Sequence, residues 1–123
     1  MKSLFAATAL AALILAPAYA GCVYPHAPDH IPDGSTATLA QMLAGEQAVK
    51  AYNTRMVSYL HCLKSQQDKE IARAALKLTK KQIAAMRSMD RQRHNAAVEQ
   101  LMAVAKQFNA EVLIFKKKHK HGK

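Results

Sequence analysis

Two pairs of histidines are the clearest candidates for metal chemistry in this chain. His26 and His30 stand four residues apart, with Asp29 and Asp33 beside them. The same spacing of two histidines binds zinc when it lies on one face of a helix. Prolines surround this pair, so no helix is expected there, and the ligand count falls short of a structural zinc site.

The second pair, His119 and His121, lies in the C-terminal run Lys-Lys-Lys-His-Lys-His-Gly-Lys. Imidazole suits copper, nickel and zinc, but the five lysines of this run oppose a divalent cation. We therefore predict no metal site and no cofactor. His26, His30, His119 and His121 are the candidate ligands of an alternative in which the protein handles metals.

The two cysteines, Cys22 and Cys62, could supply a nucleophile or a disulfide. An even number of cysteines in an exported chain favours a disulfide, and a disulfide-bonded sulfur cannot attack a substrate. His94 could serve as a base, but no third group is evident to orient it. Since no phosphate loop, nucleophile elbow or clustered acidic pair occurs either, we predict that the protein is not an enzyme. Lipidation of Cys22, which directly follows Gly21, stays open as an alternative.

Positive charge is concentrated in the second half of the chain. Residues 21–60 contain two basic and three acidic residues, whereas residues 61–123 contain fifteen basic and five acidic residues. Such a field attracts polyanions through steering and counterion release. The candidate anion contacts are Lys77, Lys80, Lys81, Arg87, Arg91 and Arg93.

The partner implied by this charge is an anionic envelope component or another envelope protein, including peripheral contact with a membrane. Nucleic acid does not fit an exported protein, and few aromatic residues are interleaved with the charges for base stacking. A run of charge that only keeps the protein soluble is the alternative interpretation.

Residues 1–20 have the three parts of a secretory signal peptide. Lys2 supplies the positive charge, residues 4–15 form an apolar run, and Ala18-Tyr19-Ala20 precedes the cleavage site. The apolar run is shorter than the roughly 20 residues that a membrane span needs. We predict a periplasmic or secreted protein, or alternatively a lipoprotein anchored at Cys22.

The remaining chain predicts an all-α fold, a long antiparallel helical hairpin with an extended proline-rich N-terminal arm stapled by a disulfide. Residues 21–34 contain three prolines and form the arm. Apolar residues then recur at three- and four-residue steps, which predicts a hairpin domain over 35–118 with helices over about 36–78 and 80–117. Thr38 with Gln41 and Thr79 with Gln82 match capping boxes. Residues 119–123 form a basic tail, and a break at the polar residues 66–70 is the alternative to a turn near Thr79.

The hairpin also predicts which residues meet. A turn at residue 79 pairs residue i with roughly residue 158 − i, so Met56 faces Met102. Thirteen extended arm residues cover about 43 Å and the helix from residue 36 to 62 about 39 Å, so an arm that folds back brings Cys22 level with Cys62. The apolar stripes are wider than two helices cover, which predicts a homodimer that forms a four-helix bundle.

Several short motifs are spread over most of the chain after residue 20. They are Pro32-Asp33-Gly34-Ser35, Met42, Val49-x-x-Tyr52, Tyr59-Leu60-x-Cys62, Arg93-His94-Asn95-Ala96-Ala97-Val98 and Phe108-Asn109. In these motifs the chain resembles a group of small uncharacterised exported helical proteins of Gram-negative bacteria. The resemblance implies a helical fold and export, and it implies no known activity.

Together these features predict a non-enzymatic periplasmic or secreted helical protein. We expect an envelope-associated interaction module whose basic face contacts anionic envelope surfaces. The alternatives are a structural or protein-binding helical pair that uses its apolar stripe, and a metal-handling protein.

Overall fold

The computed structural model describes residues 21–120. In this range an extended N-terminal arm precedes two long helices, α1 over Leu39–Ala74 and α2 over Lys80–Lys120, which pack against each other. No strand occurs among these residues. The predicted all-α hairpin with a stapled arm is therefore confirmed. The predicted signal peptide and the last three residues lie outside the described range.

A hydrogen-bonded turn connects the arm to α1. The Asp33 carboxylate accepts hydrogen bonds from the Ser35 hydroxyl at 2.6 Å and from the Ser35 backbone N–H at 2.8 Å. The Asp33 carbonyl accepts two more, from the backbone N–H groups of Thr36 and Ala37. The hydrogen bonds from Ser35 lower the pKa of Asp33, because they favour the ionised carboxylate.

Both predicted capping boxes form, and they decide where the helices begin. The Thr38 hydroxyl accepts from the Gln41 N–H at 3.2 Å, and the Gln41 side-chain oxygen accepts from the Thr38 N–H at 2.8 Å. Thr79 and Gln82 make the same exchange ahead of α2, at 3.2 and 2.9 Å. Because the first box forms at Thr38, α1 begins at Leu39 rather than near residue 36.

The turn between the helices occupies residues 75–79. Helix α1 runs without interruption through residues 66–70, so the alternative break there is wrong, and it ends at Ala74, about four residues earlier than predicted. Helix α2 continues to Lys120, which makes the first two residues of the predicted tail helical. Cations in a last turn complement the helix dipole and favour this extension; here they are Lys117, Lys118 and Lys120.

The core lies where the arm and both helices meet. Its buried residues are Tyr52, Met56, Ala97 and Val104, with Ala27 and Ile31 of the arm packed against them. A methyl group at Gly45 would lie 3.1 Å from the Phe108 ring, which places Phe108 opposite Gly45.

Met102 is 65% exposed, so the predicted contact between Met56 and Met102 is wrong. The pairing is shifted by about one helical turn because the midpoint of the turn is residue 77, not residue 79.

Two glycines let the arm approach the helices closely. Pro32 packs on Gly45 of α1, where a Cβ atom would stand 2.6 Å from the proline ring. Gly34 packs on α2, where a Cβ atom would overlap the carbonyl oxygen of Glu111. The arm therefore packs against the backbone of the helices as well as against their side chains.

Burial is confined to one end of the hairpin. The buried residues of α1 lie at or before Leu63, and those of α2 lie at or after Ala97. Residues 64–96 contain no buried residue, and we call this part the distal segment. Neither helix of the described chain contains a stretch that is both long and apolar enough to cross a membrane.

Candidate functional site: the basic distal segment

The distal segment consists of the last turns of α1, the interhelical turn and the first turns of α2. Its seam is made of half-buried apolar side chains, among them Ile71, Leu78, Ile83 and Met86. Within residues 21–120 the arm begins beside the disulfide, so only α1 and α2 pack against each other here, each along one narrow stripe. Most side chains of the distal segment therefore face solvent.

Positive charge is densest around the turn. Between Ile71 and Met89 there is no acidic residue, and every basic residue in that stretch is exposed. Four of these form what we call the turn cluster: Arg73, Lys77, Lys80 and Lys81. The structure thus places three of the predicted anion contacts, Lys77, Lys80 and Lys81, at the free end of the hairpin.

The other predicted anion contacts lie further along α2. Arg87 and Arg91 line a shallow groove between the helices together with Asp90 and His94. Arg93 is exposed but does not line this groove. Of the six predicted anion contacts, three therefore lie at the turn and two line the groove. Arg93 belongs to neither group. The Asp90 carboxylate makes the groove less positive than the turn.

Acidic residues of α1 lie toward the packed end of the distal segment. Lys64 pairs with Asp68 at 2.8 Å, with both side chains exposed. Glu70 lies within 3.4 Å of the Gln66 side-chain amide, which donates to it. The net positive charge therefore increases from the disulfide toward the turn.

Leu76 lies within the turn and is 92% exposed, the highest exposure among the large apolar residues of the described chain. Leu76 is not among the predicted site residues, because residue 76 lies within the helix predicted over about 36–78. One signal could have revealed it: Leu76 and Leu78 are two residues apart, so a helix cannot place both on the same face. The structure buries Leu78 halfway and leaves Leu76 in solvent.

The Cys22–Cys62 disulfide marks the boundary between the packed end and the distal segment. The two Cα atoms are 5.6 Å apart, so the predicted pairing is confirmed. The Tyr24 and Tyr59 rings stack edge to face beside it, with centroids 5.1 Å apart. In this structure the Cys22 sulfur is not available for a lipid thioether, nor Cys62 for nucleophilic attack. A structural disulfide fits an oxidising compartment outside the cytoplasm.

The candidate metal ligands lie far from the distal segment along the chain. His26 and His30 are exposed on the arm. The His119 ring lies over the Phe115 ring, with centroids 4.0 Å apart, and its Nδ1 is 2.9 Å from the Phe115 carbonyl oxygen. His121 lies outside the described residues. Within residues 21–120 no three potential ligands converge as a metal ion requires.

The packed end carries an open apolar groove between the start of α1 and the end of α2. It is lined by Leu39, Met42, Leu43, Val49, Phe108, Val112 and Phe115, with Glu46, Lys50, Asn109 and Lys116 also contributing. No arm residue lines it. Lys50 is paired with Glu46 at 2.7 Å, so this cation is already partnered.

The chain has no match among described protein families, curated proteins or solved structures. Its function is therefore inferred from its own surface. The distal segment is the region where charge, exposure and lack of core packing coincide.

Proposed function

We propose that this protein is a non-enzymatic, exported helical module whose distal segment binds an anionic surface of the bacterial envelope. The observation that carries the proposal is the position of the turn cluster. Its four cations stand at the free end of a hairpin whose first helix alone is about 54 Å long, and no carboxylate lies between Ile71 and Met89.

The form of the distal segment suits a surface better than a small ligand. Its cations are exposed, and its buried polar side-chain atom, Nε2 of Gln67, belongs to the groove lined by Arg87 and Arg91 and not to the turn. Each lysine or arginine close to an anionic membrane surface contributes about 1 kcal/mol to binding. Four such residues at one end supply a useful affinity without a pocket.

The compartment supports the same proposal. A disulfide closes the arm onto α1, and residues 1–20 have the pattern of a secretory leader. Anionic lipid headgroups and other phosphate-bearing polymers are the abundant polyanions of such a compartment. We place the protein in the periplasm or the extracellular medium.

The proposal is tested by co-sedimentation of the purified, disulfide-bonded protein with vesicles. We expect binding to vesicles that contain phosphatidylglycerol, little binding to pure phosphatidylcholine, and a steep loss of binding as salt is raised. Replacing Lys77, Lys80 and Lys81 by glutamine should remove most of the binding.

A matched variant separates position from total charge. Replacing Lys106, Lys116 and Lys117 by glutamine removes the same charge from the second half of α2, outside the distal segment. We expect this variant to retain most of the binding. Equal losses for the two triple variants would contradict the proposal, because they would show that only net charge matters.

A second candidate function is self-association through the apolar groove of the packed end. Leu39 and Leu43 are 61% and 52% exposed at its rim, although both are large and apolar. A second copy that packs its own α1 and α2 there would complete the four-helix bundle expected from the stripe width. Sedimentation equilibrium tests this: Leu43→Lys should lower the dimer fraction, and a wild-type protein that is monomeric at every concentration would rule the candidate out.

A further inference from the structure

We infer that the distal segment does not only touch an anionic bilayer but inserts Leu76 below the headgroups. The inference rests on the proposed function and adds the identity of the surface, a lipid bilayer, together with the mode of contact. It is carried by the position of Leu76 in the turn, its exposure and the cations around it.

Exposure of a single leucine is common on protein surfaces and by itself means little. Leu76 differs in its place. It lies in the turn that joins the end of α1 to the start of α2, so a flat surface that approaches the free end of the hairpin meets Leu76 early. Nothing in the turn requires a large apolar side chain, since Leu78 provides the seam contact.

The neighbours of Leu76 fit an interfacial position. Lys77 follows it directly. Arg73 lies two residues before the interhelical turn, and Lys80 and Lys81 are the first two residues of α2. Lysine and arginine side chains keep their charged ends at the headgroups while their aliphatic stems lie along apolar surface. The other turn and flanking residues are small or uncharged, among them Ala72, Ala75, Ala84 and Ala85.

The combination of the exposed Leu76 with the cations of the turn cluster favours a bilayer over an acidic polymer. A polyanion in water satisfies the turn cluster but offers no apolar interior, so Leu76 would gain little from it. A bilayer supplies both anionic headgroups and hydrocarbon, and binding of such segments increases with buried apolar area as well as with charge.

The first experiment uses the fact that the chain contains no tryptophan. In Leu76→Trp the single indole reports its own surroundings. On phosphatidylglycerol vesicles we expect its emission to shift to the blue and to be quenched by lipids with brominated acyl chains. Leu113→Trp is the matched control, because Leu113 is 69% exposed on α2 far from the turn, and its emission should not change.

The second experiment separates insertion from charge. Leu76→Ser should weaken vesicle affinity about tenfold at constant salt, as expected for partial loss of one buried leucine. Its salt dependence should equal that of the wild type, whereas the glutamine variant of Lys77, Lys80 and Lys81 should show a smaller salt dependence. Leu113→Ser should bind as the wild type does.

The outcomes distinguish the inference from the function on which it rests. Unchanged, unquenched emission of Leu76→Trp, with salt-dependent vesicle binding intact, would overturn insertion and leave the proposed surface contact standing. Equal affinity of Leu76→Ser and the wild type would overturn insertion in the same way. No binding of the wild type to anionic vesicles would overturn both.

Discussion

The backbone N–H of Gly34 donates a hydrogen bond to the Glu111 carboxylate at 2.7 Å, which ties the end of the arm to α2 across 77 positions of sequence. Close beside it, the Lys118 ammonium donates to the Ser35 carbonyl oxygen. These contacts and the disulfide hold the arm at its two ends. The arm is thus a third packed element, which explains why the core lies only where the arm lies.

Gly34→Ala should destabilise the protein by about 2 kcal/mol or more, as overpacking does. The added methyl group would overlap the Glu111 carbonyl oxygen and lie 2.9 Å from the Phe115 backbone nitrogen, so α2 or the arm must move. Urea denaturation followed by circular dichroism measures the effect. Gly21→Ala is the control, because no heavy atom lies within 4 Å of its Cβ position, and equal midpoints for the two variants would contradict the close approach.

Loss of the disulfide should lower the free energy of unfolding by about 4 kcal/mol. The Cys22–Cys62 bond spans 40 residues of sequence, and closing a loop of this size reduces the entropy of the unfolded chain. The measurement compares urea unfolding with and without dithiothreitol. A variant with serine at both positions should have the stability of the reduced protein, with or without dithiothreitol. A wild-type protein whose stability does not change on addition of dithiothreitol would refute the prediction.

Tyr52→Phe should leave the stability unchanged or raise it slightly. Tyr52 is fully buried, and its hydroxyl has no hydrogen-bond partner among residues 21–120, so the change removes an unpaired polar atom and little packing. Thermal unfolding measures the change, with Tyr52→Leu as the control that leaves a cavity and lowers the midpoint. A loss of more than about 1 kcal/mol in Tyr52→Phe would show that the hydroxyl is satisfied in solution.

Alkaline pH should destabilise the wild type more than Tyr52→Phe. Burial, and then the nearby Tyr24, raise the pKa of Tyr52 above its ordinary value of 10.0. The unfolded chain therefore loses this proton first, so the stability is fully present below pH 10 and decreases as the pH rises toward the raised value. Unfolding at several pH values from 9 upward tests this, and parallel curves for the two proteins would contradict it.

Amide hydrogens of the distal segment should exchange faster than those of the packed end. Residues 64–96 contain no buried residue, so opening their helical turns exposes little apolar surface. Hydrogen exchange read by mass spectrometry should show early deuteration around residues 70–90 and late deuteration near Tyr52 and Val104. Uniform exchange along both helices would contradict this division.

The capping boxes and the disulfide show what could be predicted without coordinates. Thr38 with Gln41 and Thr79 with Gln82 act within three residues, so their hydrogen bonds depend almost only on local sequence. The pairing of Cys22 with Cys62 followed from chain length, because an extended arm that runs back along α1 reaches about as far as that part of the helix.

The register of the two helices could not be predicted from the sequence in the same way. Apolar stripes repeat every three or four residues, so a shift of one turn leaves the pattern almost as well matched. The five-residue turn selects the register, which turns Met102 outward and brings Phe108 onto Gly45.

By itself, the sequence determined the helices, their caps, the arm and the charge asymmetry, because these depend on neighbours along the chain. Only the tertiary structure decided which end is packed and which is bare. In the described part of the chain the arm covers the two helices only as far as Cys62, where the disulfide holds it, so residues 21–120 supply no third element against which the hairpin beyond that point could bury side chains. That limit leaves Leu76 exposed in the turn amid the cations of the turn cluster.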